Sequence, residues 1–229
     1  MKFIVIEGLD GSGKSTQIRL VEKFFSEQHV KSRFIHFPRQ EAPVYGELIN
    51  RFLRGELGDI HSVNPYLVAL IYAGDRKDAS AQLMEWMREG YLVIADRYLY
   101  SNIAFQCAKL PDGNKRQDLA EWIKYLEYEY HRIPVPDLNL FLDVPFGFTR
   151  KSLGIERIGE ERDYLNGGTD IHEADLEFQQ KVGEMYRWQV EENSDFESIL
   201  CCDTEGNMLS AEKISAKIIT RIKEKLSTE

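Results

Sequence analysis

Short apolar runs punctuate the chain at residues 3–6, 34–37, 91–95, 138–144 and 199–202, with longer stretches of mixed polarity between them. After the first run, Ile18, Val21 and Phe25 recur at helical spacing, and Ile214, Ile218 and Ile222 do so near the C-terminus. Strands that alternate with amphipathic helices require right-handed crossovers, and so a mostly parallel sheet covered on both faces. The pattern predicts an α/β fold in a single domain over residues 1–229, with those stripes as core.

Two segments break the alternation. Residues 62–89 carry Leu67, Leu70 and Ile71, then Gly74, then Leu83 and Met87, which predicts two helices or one interrupted helix ending at Gly90. Residues 151–169, KSLGIERIGEERDYLNGGT, are polar, charged and glycine-bearing, and predict a mobile lid over about 150–170. Asp170 and Glu173 then form a capping box for a helix reaching about Glu192, with His172 as an exposed first-turn residue. No repeat, low-complexity tract or linker divides the chain.

Composition narrows the function classes. With 229 residues, 43% of them hydrophobic, the chain can bury a substantial core. A net charge of -9 provides no global basic field for DNA, RNA or an anionic membrane, so any phosphate site has to be local. Cys107, Cys201 and Cys202 show neither C-x-x-C spacing nor a neighbouring histidine cluster, which predicts reduced, buried structural thiols. The first strand starts almost at once without a leader-like segment, and the longest wholly apolar run, 66–73, is too short to span a bilayer. A cytoplasmic protein with no membrane or nucleic-acid partner is the expectation.

The candidate chemistry begins at residues 4–17, IVIEGLDGSGKSTQ. Gly8-x-x-x-x-Gly13-Lys14-Ser15 matches the phosphate-loop pattern and sits between a predicted strand and a predicted helix, the context that pattern needs. Glycines let backbone N–H groups turn toward an anion and the helix N-terminus adds positive potential. Lys14 reaches the outer phosphates, and the Ser15 hydroxyl can ligate Mg2+. A GTPase switch would carry D-x-x-G soon after the loop and N-K-x-D later. Here Asp203-x-x-Gly206 comes only near the end, and Asn114-Lys115 has the wrong continuation. A motor would usually place a second carboxylate after the third strand, but YLVIADRY puts Arg97 beside Asp96. Asp96 is placed to hold Mg2+ and Arg97 to neutralise a second phosphate. Arg39, Arg76, Arg150, Arg157 and Arg162 add basic groups at predicted element ends and around the lid. In an open parallel sheet the ligand crevice lies beyond the carboxyl ends of the strands, where Gly8, Arg39 and Arg97 fall. Taken singly, Asp96-Arg97 also fits a surface ion pair, and any one arginine also fits a solvated helix face.

The segments EGLDGSGKST, FPR, DRKD and DRYLYSNIAFQ together resemble the thymidylate kinases, the dTMP kinase branch of the nucleoside monophosphate kinases. The resemblance covers nearly the whole chain and implies a P-loop NTP hydrolase-type three-layer fold with a five-stranded parallel sheet. It implies phosphoryl transfer from ATP to dTMP with Mg2+ as cofactor. Gly8, Asp10, Gly11, Ser12, Gly13, Lys14, Ser15 and Thr16 would cradle ATP, with Arg150 stacking on adenine and Ser15 and Asp96 toward the metal. Arg39 and Arg97 would clamp the dTMP phosphate, Arg76 would bond the thymine, and Tyr72 falls where a Phe usually stacks on it. Ser101, Asn102 and Gln106 would read the thymine edge, and Phe105 would crowd the 2' position and disfavour ribonucleotides. Asp10 would contact the 3'-hydroxyl or the metal. It is not needed as a base, because the acceptor phosphate is already anionic. Family members usually form homodimers, and residues 66–73 and 98–105 are the candidate faces.

Two departures stand out. Gly11 occupies a place where some members carry arginine, so the catalytic cation is expected from the lid, from Lys151, Arg157 or Arg162. The lid ends DIHE rather than the common DRxE, leaving Asp170 and Glu173 either near sugar or metal or simply as caps. Two other readings stay open. A deoxynucleoside kinase would need a carboxylate base after the second strand, near Glu41. A regulatory nucleotide-binding module would have lost turnover, against which the intact Lys14, Ser15, Asp96 and Arg97 argue.

Overall fold

The depth to which each apolar run is buried explains its place in the sheet. In the computed structural model, which describes residues 2–153, 165 and 170–227, β1 (Phe3–Glu7), β3 (Leu92–Asp96) and β4 (Leu138–Asp143) are buried along nearly their whole length. β2 (Ser32–His36) and β5 (Phe196–Leu200) bury only part of theirs. Strands that are apolar at successive positions belong in the middle of a parallel sheet, and the order is β2-β3-β1-β4-β5, all parallel.

Nine α-helices among the described residues complete the chain: α1 (Lys14–Glu27), α2 (Tyr45–Leu53), α3 (Pro65–Arg88), α4 (Leu99–Cys107), α5 (Gly113–Lys124), α6 (Phe146–Leu153), α7 (Ile171–Ala174), α8 (Leu176–Glu192) and α9 (Ala211–Leu226). Side chains alternate across a strand, so β1 feeds two separate cores. Phe3 and Val5 join Leu83, Ile103, Leu119, Phe178 and Tyr186 on the face covered by α3, α4, α5 and α8. Ile4 and Ile6 meet both predicted stripes, Ile18, Val21 and Phe25 with Ile214, Ile218 and Ile222, on the face of α1 and α9. A third, smaller cluster seats α2 on α3 through Ile49, Phe52, Leu53 and Val68.

Four expectations are corrected. Residues 65–88 form one unbroken 24-residue helix, started by Asn64, whose side chain accepts from Tyr66 N, and by Pro65 in the first turn. Gly74 does not interrupt it; any Cβ there would overlap the Tyr45 ring, so glycine permits the α2–α3 approach. The helix expected to run unbroken from Asp170 to Glu192 is divided at Asp175. Asp170 caps α7, accepting from His172 N at 2.7 Å, and Asp175 caps α8, accepting from Phe178 N at 2.9 Å. The fifth strand lies at 196–200, just ahead of Cys201, which is buried, while Cys202 is only half-buried. Residues 98–105 are wholly interior, so they offer no surface to a second copy. On 66–73 the outer side chains Leu67 and Leu70 are exposed.

Ile218 is fully buried in the core beneath α1 and α9 and does not line the cavity described below, whereas Leu200 is 57% exposed. Ile218→Ala is expected to lower unfolding free energy by about 2–5 kcal/mol, and Leu200→Ala by no more than about 0.5 kcal/mol. Urea denaturation midpoints check this, and equal effects would contradict the assigned core.

Candidate functional site

Three strand ends converge on one row of the sheet. Ile6 of β1 pairs with Asp96 of β3, and Asp96 with His36 of β2. Side chains of one row share a face, so Asp96 projects to the α1 side with Ile6, and His36 Nδ1 comes to 3.3 Å from Asp96 Oδ2. The next residue along β1, Glu7, projects to the opposite face, under α4 and α8. Beyond this row lies a cavity of about 1420 Å³, lined by the phosphate loop, residues 34–41, Tyr72 and Arg76 of α3, Asp96 and Arg97, the inner face of α4, and Asp170, His172 and Glu173.

On the loop side, Gly13 takes a left-handed φ of 88° as it opens α1, a conformation glycine adopts without strain. Lys14 folds back over the loop, donating from Nζ to the Gly8 and Leu9 carbonyls at 3.3 and 3.1 Å, and lies 3.9 Å from Asp96 Oδ1. Burial and the neighbouring Arg97 push its pKa down, against the pull of Asp96 and Asp10. Asp96 is buried, yet Lys14 and His36 hold its carboxyl below the usual range. Ser15 and Thr16 are exposed at the start of α1, and Ser12, within the loop, is buried.

Arg97 joins the two halves of the cavity. It leaves β3 with a positive φ of 67°, a strained backbone for a residue with a side chain. Nη2 donates to Asp10 Oδ1 at 2.6 Å, and Nη1 donates to Ser101 Oγ and Tyr186 OH, each at 3.1 Å. Behind them, fully buried Glu7 accepts from Ser101 Oγ at 2.5 Å, Tyr98 N at 2.8 Å and Tyr186 OH at 3.0 Å. Burial raises the Glu7 pKa, and these donors with Arg97 oppose the rise. Burial also raises Asp10, but Arg97, Lys14 and Gln179 override it and hold that carboxyl well below its ordinary value. Gln179 Nε2 fixes the other Asp10 oxygen at 2.8 Å.

The far wall is held just as firmly. Arg39 is clamped by Asp75, with Nε to Oδ1 at 2.8 Å and its backbone N to Oδ2 at 2.9 Å, and Nη2 reaches Asp78 Oδ2 at 2.6 Å. Arg76 is buried in a two-pronged ion pair with Glu127 at 2.5 and 2.7 Å. Tyr72, Asn102, Phe105 and Gln106 complete this side, and the Arg97 guanidinium lies 5.0 Å from the Phe105 ring centroid.

The sequence-predicted residues Asp10, Gly11, Gly13, Lys14, Ser15, Thr16, Arg39, Tyr72, Arg76, Asp96, Arg97, Ser101, Asn102, Phe105 and Gln106 therefore line one cavity. Arg150 and Lys151 are exposed on α6, whose Phe148 and Ser152 reach the cavity edge. Arg157 and Arg162 lie outside the described residues. His172 is corrected: it is 6% exposed, its ring stacked 5.5 Å from Phe178 and tilted 4.9 Å from Phe105. Burial pushes its pKa down to about 3, so it is neutral at physiological pH. Sequence reasoning missed Glu7, Asp75, Glu127, Gln179 and Tyr186. The available signal was polarity inside apolar stretches, as with Glu7 closing the run FIVIE.

Comparison with known proteins agrees with this geometry. A family model described as thymidylate kinase matches residues 6–213. A Pyrobaculum aerophilum protein named "Probable thymidylate kinase" is 37% identical over 190 residues, covering 81% of each chain. A Mycobacterium tuberculosis thymidylate kinase is 31% identical over 183 residues, covering 80% of this chain and 83% of that one. The solved thymidylate kinase of Candida albicans shares the fold, with a TM-score of 0.72 at 24% identity over 100% of this chain and 93% of that one. With the family model spanning loop, strand-end arginine and far wall alike, the chain belongs to the thymidylate kinase family.

Proposed function

We propose that this protein transfers the γ-phosphate of ATP to dTMP, giving dTDP and ADP. The observation that carries the reading is Arg97. It stands between a phosphate loop and a second polar wall in one cavity, tied 2.6 Å from Asp10 of the loop and, through Ser101 and Tyr186, to α4 and α8. A charge fixed in this way is poised to relieve repulsion between two phosphate groups without reorganising during reaction. ATP takes the loop and the α1 N-terminus, with Lys14 toward the outer phosphates and Arg150 toward adenine. The acceptor phosphate takes Arg97 and Arg39, its base lies against Tyr72, Arg76, Asn102 and Gln106, and Phe105 packs against the sugar.

The acceptor needs no general base, since its attacking oxygen is anionic at pH 7. Asp10 suits a positioning role instead, because Arg97 and Gln179 occupy both of its oxygens. Two arginines on the acceptor wall favour a charged acceptor over the neutral hydroxyl of a nucleoside. Glu41, the base a nucleoside kinase would need, is exposed at the cavity rim.

The residues fit Mg2+. Asp96 Oδ1 is buried without a hydrogen-bond partner, the exposed Ser15 of α1 lines the same cavity, and no cluster of three or more metal-ligating side chains occurs among the described residues. That sparse oxygen set suits an ion held largely by phosphates and water. Mg2+ would be held by Ser15 and Asp96, and would supply charge neutralisation on the phosphates. Three free thiols support a reducing compartment, and we place the reaction in the cytoplasm. No helix among the described residues is long and apolar enough to cross a membrane. Exposed Leu67 and Leu70 on α3 support pairing of two copies through that helix.

ADP formation from Mg-ATP should rise strongly with dTMP over a no-acceptor blank, and not with thymidine or AMP. Stimulation by thymidine alone would replace the reading with a nucleoside kinase. Lys14→Ala and Arg97→Ala should each lower kcat by about a hundredfold or more, and near-normal turnover in either removes its role. Phe105→Ala should raise UMP turnover relative to dTMP, and an unchanged ratio would take the ring out of sugar selection.

A further inference from the structure

The base-facing wall rests on a carboxylate that no motif announces. Glu127 lies in a π-helical stretch, Tyr125–Tyr130, that continues α5, and it is fully buried. Its Oε2 accepts from Arg76 Nε at 2.5 Å, and its Oε1 accepts from Arg76 Nη2 at 2.7 Å and from Asn102 Nδ2 at 3.0 Å. A buried ion pair is weak as a source of net stability, whereas losing one partner is costly. π-turns inserted in α-helices recur at functional sites.

Counting donors and acceptors shows what this pair does. The two hydrogens of Asn102 Nδ2 go to Glu127 Oε1 and to the Ala69 carbonyl, also at 3.0 Å. A carboxylate and a carbonyl only accept, so the amide has one orientation. Asn102 lines the cavity, and its Oδ1 is buried with no hydrogen-bond partner in the protein. Arg76 lines the same cavity and has no acceptor in any orientation. The wall thus offers donors from Arg76 beside one acceptor from Asn102. A pyrimidine with a 4-keto group and an N3–H presents the complementary acceptor and donor. A 4-amino pyrimidine presents the reverse.

We infer that Glu127 is a positioning residue that holds the Arg76 donors in place and, with the Ala69 carbonyl, the Asn102 amide, and thereby makes the site select 4-keto over 4-amino pyrimidine monophosphates. The inference rests on the reading of Arg76 and Asn102 as base-facing groups. In Glu127→Gln one carboxylate oxygen becomes an NH2 group. A donor then faces Arg76 Nε or the Arg76 Nη2 and Asn102 Nδ2 donors, so Arg76 loses part of its anchor and with it the donor held for a 4-keto oxygen, while the Ala69 carbonyl keeps the Asn102 amide in its orientation.

The test is kcat and KM of wild type and Glu127→Gln on dTMP, dUMP and dCMP, with ADP affinity and thermal melting as controls. Glu127→Gln should lose about tenfold or more in kcat/KM for dTMP, mainly through KM, while the dCMP to dTMP ratio rises by about tenfold or more. dUMP should track dTMP, and ADP affinity should hold. A folded Glu127→Gln with an unchanged dCMP to dTMP ratio overturns the inference, as does wild type that uses dCMP as well as dTMP. Glu127→Asp keeps the charge but withdraws it by a methylene. If the glutamine variant does not fold, the aspartate variant should show the same shift in ratio, and its absence is equally fatal. Wild type that phosphorylates no pyrimidine monophosphate instead sinks the functional reading beneath the inference.

Discussion

A guanidinium held almost out of water at the end of β3 is the constraint around which the site is organised. Arg97 is 8% exposed, and a charge in that position is tolerated only if it is paired and its N–H groups are met. Asp10 supplies the counter-charge; Ser101 and Tyr186 take further N–H groups; Glu7 lies behind both hydroxyls and binds them in turn. Removing one partner from a buried pair of this kind costs about 3–5 kcal/mol. Each member is therefore held in place by the others, and β1, β3, the phosphate loop, α4 and α8 meet at one charged atom group. The positive φ of Arg97 is strain that this network over-determines.

The sheet makes that meeting possible through parity. Glu7 and Ile6 are adjacent in sequence but point to opposite faces. One of them reaches the α4 and α8 layer while the other shares a row with Asp96 and His36. A one-residue slip between β1 and β3 would exchange these faces and bury Asp96 under the wrong layer. The continuous apolar character of both strands, needed for burial on two sides, does not by itself forbid that slip. The polar residues at the strand ends supply the register that the apolar ones leave open.

What could be read from the sequence follows from how local each signal is. The phosphate loop is one contiguous motif in a strand-to-helix context, and the alternation of strands and helices rests on windows of a few residues. Both emerged as expected. Gly74 was misleading because glycine weakens a helix in isolation, while here its missing side chain admits the Tyr45 ring. His172 looked like an exposed first-turn residue because the rings that cover it, Phe105 and Phe178, belong to other helices. Glu7 with Tyr186, Arg76 with Glu127 and Asp10 with Gln179 are separated by 179, 51 and 169 positions. No window of sequence contains such a pair, so the carboxylates behind the arginines stay illegible until the fold brings them there.

The same arrangement suits a proposed reaction whose acceptor oxygen is already anionic and has no proton to lose. Asp10 has both oxygens engaged and its carboxyl held below the ordinary range, so it is a poor proton acceptor. Lys14 is in the opposite condition. Burial and Arg97 work against its charge, and loop carbonyls and Asp96 only partly compensate. In the proposed reaction, phosphate oxygens at the loop would supply Lys14 with the counter-charge that its surroundings only partly provide. Arg39 stands in a third condition, already matched to Asp75 and Asp78, so in the proposed reaction an acceptor phosphate would meet it as a charge whose position is settled but whose field is shared. Fixed charges of this kind favour the spread of negative charge in phosphoryl transfer over the separated anions that precede it. Burial, which makes each cation costly in itself, is also what makes its field strong toward a phosphate.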